Sequence, residues 1–136
     1  MVTVLDASGA TLGRLSSMLA KRLLEGEEIV VVNSEKVIIV GSKKEIENRY
    51  RKKREVGGSK RRGPFFPRMP DMILKRTVRG MLPYQQPKGR KAYKNLKTYI
   101  SVPEEFEKKK LEKVEQSNPS SYMTLKELSE YLGISW

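Results

Sequence analysis

The apolar positions of this chain change period several times, and each change predicts an element. Val2-Thr3-Val4-Leu5 is a short apolar run that predicts a strand, closed by the turn-forming Asp6-Ala7-Ser8-Gly9. Leu12, Leu15, Leu19 and Leu23 then recur at helical spacing, with Arg14, Ser17 and Lys21 opposite. Thr11 is placed to cap this helix and Gly26 to stop it. Ile29 to Val32 and Val37 to Val40 are β-branched and unbroken, the pattern of strands covered on both faces, with helices above and below. The link Asn33-Ser34-Glu35-Lys36 is too short for a parallel crossover. The two strands therefore form a hairpin, or one leaves the sheet through a tight turn, and the expected sheet is mixed.

Ser42-Lys43-Lys44-Glu45 has the form of a capping box and opens a helix through Ile46 and Tyr50 into Arg51-Lys52-Lys53-Arg54. Val56 to Pro70 holds too many Gly and Pro for a regular element and reads as a long loop. Pro70 begins a third helix with Ile73, Leu74, Val78, Met81 and Leu82 on one side and Lys75, Arg76 and Arg79 on the other; Pro83 ends it. A short basic helix follows from Pro87 to Leu96, and Thr98 to Val102 reads as the last core strand. Beyond Glu104 the chain is rich in Glu and Lys, with Phe106, Leu111 and Val114 as sparse anchors. A second capping box, Thr124-Leu125-Lys126-Glu127, opens a final helix stopped by Gly133. This organisation is one α/β domain over 1–103 and a C-terminal extension over 104–136.

Charge changes the picture. Between Lys43 and Lys97 lie 19 of the 28 Lys and Arg but only 4 of the 16 Asp and Glu, a net +15, while the remainder carries −3 and the chain totals +12. Tyr50, Phe65, Phe66, Tyr84 and Tyr93 are interleaved with these cations. A charge run is often only a solvated face. Here acidic compensation is nearly absent, and loops hold the cations in a form that follows a phosphate backbone while aromatics stack on unpaired bases. A membrane surface would need an apolar face on a basic helix, which these loops lack. The pattern favours a folded RNA over duplex DNA. The residues expected to contact it are Arg49, Lys52, Lys53, Arg54, Lys60, Arg61, Arg62, Arg68, Arg76, Arg79, Lys88, Arg90, Lys91 and Lys94.

Other chemistry is thinly supported. The chain has no Cys and no His, which removes disulfides, thiolate nucleophiles and the usual general base and metal ligand. No catalytic residue, cofactor, metal or small-molecule substrate is expected. The Gly9 to Gly13 turn before the first helix matches neither the dinucleotide nor the P-loop pattern. Its simpler reading is a tight turn at Gly9 and close helix–sheet packing at Gly13, with a nucleotide-binding enzyme as the alternative. The carboxylates Asp6, Glu35, Asp71, Glu104 and Glu105 show no spacing that singles out an acid/base pair. Thr124 to Ser135 has the first helix and turn of a helix-turn-helix but no recognition helix, so docking of Leu125, Leu128 and Trp136 is expected instead. No apolar run approaches a membrane span and no apolar leader follows Met1, so a cytoplasmic location is expected.

Several ordered motifs carry a resemblance. Asp6-Ala7-Ser8-Gly9 with Leu12-Gly13-Arg14-Leu15, then Val32-Asn33-Ser34-Glu35-Lys36-Val37 and Gly41, resemble the N-terminal half of the large-subunit ribosomal protein L13 family. Val78-Arg79-Gly80-Met81-Leu82-Pro83, Gly89-Arg90 and Leu96-Lys97-Thr98-Tyr99 resemble its signature, so that the likeness spans about residues 2–102. Arg62-Gly63-Pro64-Phe65 and the tail ending in Leu132-Gly133 resemble the archaeal and eukaryotic branch. Thr98 and Ser101 depart from the small apolar residue and the glycine common in bacterial members. The resemblance implies a three-layer α/β/α core with a four-stranded sheet. It also implies a structural, non-enzymatic protein that binds large-subunit ribosomal RNA beside neighbouring ribosomal proteins and acts early in subunit assembly.

Overall fold

The computed structural model describes residues 2–55, 67–114, 116 and 118–133. In chain order it runs strand β1 (Val2–Asp6), helix α1 (Leu12–Leu24), strand β2 (Glu28–Val32), a 3-10 turn (Ser34–Lys36) and strand β3 (Ile38–Val40). Helices α2 (Lys43–Glu55), α3 (Pro70–Met81) and α4 (Pro87–Lys94) follow, then strand β4 (Leu96–Thr98) and a second 3-10 turn (Glu104–Phe106). Strands β5 (Glu112–Lys113) and β6 (Tyr122–Thr124) and helix α5 (Leu125–Tyr131) complete it.

Four strands form a sheet in the order β4-β2-β1-β5, and every neighbouring pair is parallel. The four-stranded α/β core is as expected, but its sheet is parallel rather than mixed. The reason lies after β2. Asn33 takes a left-handed φ of 59°, and the 3-10 turn that follows carries the chain out of the sheet. β3 then pairs antiparallel with β6 in a separate two-stranded sheet, Ile39 opposite Met123. Of the two routes open to Val37–Val40, the chain takes the exit.

Alternation along the strands explains the unbroken apolar runs. Ile29 and Val31 of β2 join Leu5 of β1 on one face, while Val30 and Val32 join Val4 on the other. The two faces are covered unequally. Buried side chains from all five helices, among them Leu19, Ile46, Leu74, Ala92 and Leu128, belong to the first cluster. The second is closed by Phe106 of the 3-10 turn, with Tyr99, Val102 and Leu111 around it. Among the described residues this third layer is a turn and flanking chain rather than a helix, because Pro103 and the Lys108-Lys109-Lys110 run leave no apolar stripe at helical spacing.

Chain beyond residue 103 is woven into the core. β5 pairs with the edge of β1, and Met123, Leu125 and Leu128 are buried in the larger cluster. The Thr124 hydroxyl accepts the Glu127 N–H at 3.2 Å, and Ser42 Oγ accepts the Glu45 N–H at 3.3 Å, so both capping boxes supply their N-terminal bond. Thr11 holds the N-cap position of α1 without a side-chain bond. The last core strand lies earlier than its apolar residues suggest, over Leu96–Thr98, since Ser101 turns the chain with a φ of 57°. That left-handed backbone is held by Glu35, whose buried carboxylate accepts the Ser101 N–H at 3.1 Å and its hydroxyl at 3.0 Å. Trp136 lies outside the described residues.

Candidate nucleic-acid interface

The interface begins with the amphipathic α3. Ile73, Leu74 and Val78 are fully buried and fix the helix to the core, which leaves Lys75, Arg76 and Arg79 to face outward. Pro83 ends the helix, and the chain doubles back so that α4 crosses over the turn. The crossing is close: a Cβ at Gly89 would stand 1.9 Å from the Pro83 carbonyl oxygen. Only glycine fits there. The crossing sets Tyr84 beside Tyr93, edge to face, with ring centroids 5.5 Å apart. Arg79 lies 4.2 Å above the Tyr84 ring and Lys75 Nζ 4.9 Å from the Tyr93 ring. Cations one helical turn apart thus rest on two rings that touch each other.

Helix α2 extends this surface. Lys53 Nζ lies 4.7 Å from the ring of buried Tyr50. Burial lowers the Lys53 pKa, and the charges of Arg49 and Arg76 lower it further. The Tyr93 hydroxyl is pushed up, first by burial and also by Tyr84, against the opposing pull of Arg79 and Arg76. Arg49, Lys53, Arg76, Arg79, Tyr84 and Tyr93 therefore form one electrostatic neighbourhood. An open groove of about 670 Å³ runs along α2 past Lys44, Asn48, Arg49, Lys52 and Lys53. Lys52, Arg68, Arg76, Arg79, Lys88, Arg90, Lys91 and Lys94 make no salt bridge among the described residues, while Arg49 reaches Glu45 at 3.7 Å. Clustered cations at this density repel one another, and an anionic partner relieves that repulsion.

Not every expected contact residue joins this face. Lys88, Arg90 and Lys91 are exposed along α4. Lys94 lies at the β4 edge, where with Lys97 and Lys109 it lines a cleft of about 330 Å³ that also holds Glu28, Glu105, Tyr99 and Phe106. Arg68 sits against the end of α5, its Nη1 3.8 Å from where a Gly133 Cβ would be, a position that suits a helix C-terminus. Lys60, Arg61 and Arg62 lie outside the described residues, as does the Arg54 side chain. Lys75 was not among the expected contacts, although its place four residues before Arg79 put it on the same face. Lys97 and Lys109 gave no such signal, because it takes the sheet edge and the second 3-10 turn to bring them together.

The turn at Gly9 is bonded within the chain: the Gly9 N–H bonds Lys36 O, the Ala10 N–H bonds Ala7 O, and the Ser8 N–H bonds Asp6 Oδ1, so the amides of residues 8–10 are occupied by the turn itself. Close packing at Gly13 is also corrected: a Cβ there meets nothing within 4 Å, because the residue is on the exposed face of α1. Asp6 is committed to the turn, accepting from Ser8 and from Asn33 Nδ2 at 3.0 Å, and Glu35 is committed to Ser101. No group of His, Cys, Asp and Glu able to hold a metal occurs among the described residues. No helix among them is long and apolar enough to cross a membrane.

Comparison with known proteins identifies the family. Residues 1–105 match the model of the family described as Ribosomal protein L13. The chain is similar to the large ribosomal subunit protein uL13 of Archaeoglobus fulgidus, 53% identical over 96% of this chain and 87% of the relative. It is 51% identical to that of Methanocaldococcus jannaschii over 97% and 98%, and 44% identical to that of Thermoplasma acidophilum over 96% and 97%. A family model matched along most of the chain, and archaeal relatives matched along nearly all of it, show that this chain belongs to the ribosomal protein L13 family.

Proposed function

We propose that this chain is a structural, non-catalytic component of the large ribosomal subunit, binding folded ribosomal RNA and acting in subunit assembly. The observation that carries the reading is the α3–α4 face. Lys75 and Arg79 stand on the touching rings of Tyr93 and Tyr84, and neither cation is paired with a carboxylate among the described residues. Cations held over aromatic rings meet phosphates without first being released from carboxylates. The fourteen cations named above, joined by Lys75, are the contact set, with the α2, α3 and α4 members forming its ordered part. Neighbouring proteins of the subunit are the further partners, and the cytoplasm is the location. Residues 104–136 act as an extension that clamps the 1–103 domain through β5, β6 and α5.

The test is a sucrose-gradient fractionation of lysate, following this chain with and without ribonuclease. Co-migration with the large subunit, lost on extensive digestion, is the expected result. A soluble peak indifferent to nuclease overturns the proposal. With roughly 6–10 phosphate contacts, affinity for purified RNA is expected to fall on the order of 10³–10⁵ between ~50 and ~200 mM salt.

A further inference from the structure

Two helical glycines stand within the basic–aromatic region, and they differ. Gly89 has an intramolecular reason, the Pro83 backbone pressed against it. Gly80 has none. It is exposed, lies in the last turn of α3, has no positive φ, and a Cβ built there meets nothing within 4 Å. It does not end the helix either, since Met81 is still helical and Pro83 supplies the stop. Glycine is the less stable choice in a helix wherever alanine fits. No contact within the described chain explains it.

Its surroundings do. Residues four apart on a helix stand one above another, so Met72, Arg76 and Gly80 form a single ridge along α3. Met72 is 55% exposed and Arg76 is exposed; the ridge then drops to bare backbone at Gly80. Arg79, adjacent to the gap, is fixed on the Tyr84 ring. The result is a notch flanked by two arginines. That shape and charge match a sugar–phosphate strand, because the cations meet phosphates while the missing side chain admits the strand to the helix backbone.

We propose that Gly80 is the point of closest approach between α3 and the RNA backbone, a notch that any side chain would fill. This rests on the RNA-binding reading above. The test compares wild type, Gly80→Ala and Gly80→Leu in the full chain, by equilibrium binding to purified large-subunit ribosomal RNA across a salt series and by thermal melting. Gly80→Ala is expected to melt no lower than wild type while its dissociation constant rises roughly tenfold. Gly80→Leu is expected to bind more weakly still. The salt slope should stay unchanged in both, because no charge is lost. Wild-type affinity in both variants overturns the proposal. Wild-type affinity combined with failed incorporation into subunits also overturns it, and places a protein neighbour at the notch instead. Wild type that does not bind RNA removes the underlying reading itself, a result distinct from either.

Discussion

Gly89→Ala tests the crossing on which the basic–aromatic face depends. The new Cβ would lie 1.9 Å from the Pro83 carbonyl oxygen, 2.3 Å from its carbonyl carbon and 2.9 Å from the Tyr84 nitrogen. All three are backbone atoms, so no side-chain rotation relieves the overlap. Ordinary contact begins at 3.4 Å, and the oxygen must therefore retreat by about 1.5 Å. That oxygen accepts the Gln86 N–H at 2.9 Å, so the retreat breaks the turn that returns the chain into α4. Overpacking of a tight site costs about 1–3 kcal/mol, and here the upper end applies because only backbone can give. The lost turn bond adds about 1 kcal/mol, while alanine's better helix propensity offsets about 1 kcal/mol. The net is a destabilisation of about 2–3 kcal/mol, a large share of the roughly 5–15 kcal/mol typical of a domain. For a chain of this size the corresponding fall in Tm is about 6–12 °C. Urea unfolding followed by circular dichroism should show a lower midpoint with an unchanged slope. Gly80→Ala supplies the contrast, since the same substitution nine residues earlier adds a methyl to open space. A Gly89→Ala midpoint equal to wild type, or equal stability of the two alanine variants, would refute the crossing.

Three further outcomes follow from the polar contacts and the cation–ring stack. Burial opposes ionisation of Asp6, but bonds from Asn33 and from the Ser8 hydroxyl and N–H, with the Lys36 charge, prevail and hold its pKa below the ordinary 3.8. A carboxylate depressed on folding contributes stability that is fully present above its unfolded pKa and is lost as pH falls through the folded one. Urea midpoints should therefore drop less between about pH 5 and pH 2 in Asp6→Asn than in wild type, and parallel curves would count against the turn's role. Glu35→Gln replaces one acceptor oxygen with a donor facing Ser101, and should cost about 1.5–3 kcal/mol in chemical denaturation. Ser101→Gly should be milder, because glycine accepts the 57° φ and the N–H bond to Glu35 survives; a larger loss there than in Glu35→Gln would reverse this account. Arg79→Ala should weaken RNA binding and reduce the magnitude of the log–log salt slope by about 0.9, one phosphate contact, whereas an unchanged slope would show that Arg79 serves only to pack Tyr84.

Much of the fold was legible because period and punctuation agree. Leucines three and four apart gave α1, Pro70 and Pro83 bracketed α3, and the β-branched run of β2 announced burial on both faces. What was not legible depended on partners distant in sequence. Nothing local in Val37–Val40 says that its partner is Tyr122–Thr124 rather than β2. Nothing in the Glu/Lys-rich stretch distinguishes Glu112-Lys113, which extends the sheet, from its neighbours; the pairing uses backbone groups that every sequence carries. The family motifs were visible as patterns, but their reasons were not. Gly89 stands in the signature because a carbonyl occupies the space of its side chain, and Asn33 and Glu35 stand in theirs because they turn the chain out of the sheet and hold Ser101.

The same asymmetry links scaffold and interface. Helices gather on one face of the sheet because that face holds the larger apolar cluster, and three of them, α2, α3 and α4, carry the basic segment on their outer sides. Each basic helix is thus anchored by a buried residue, Ile46 and Tyr50 for α2, Ile73, Leu74 and Val78 for α3, and Ala92 for α4. Anchoring keeps Arg49, Lys53 and Arg76 close despite their repulsion, which adds to the larger effect of burial in lowering the Lys53 pKa. Hydrophobic burial on one side of these helices therefore maintains an unfavourable concentration of charge on the other. A polyanion that binds this face removes the repulsion and stabilises the folded state by mass action. Stability and RNA affinity are on this account two readings of one arrangement: a core substitution beneath α3 should weaken both, whereas loss of a surface cation should weaken binding while relieving repulsion and leaving the fold no less stable.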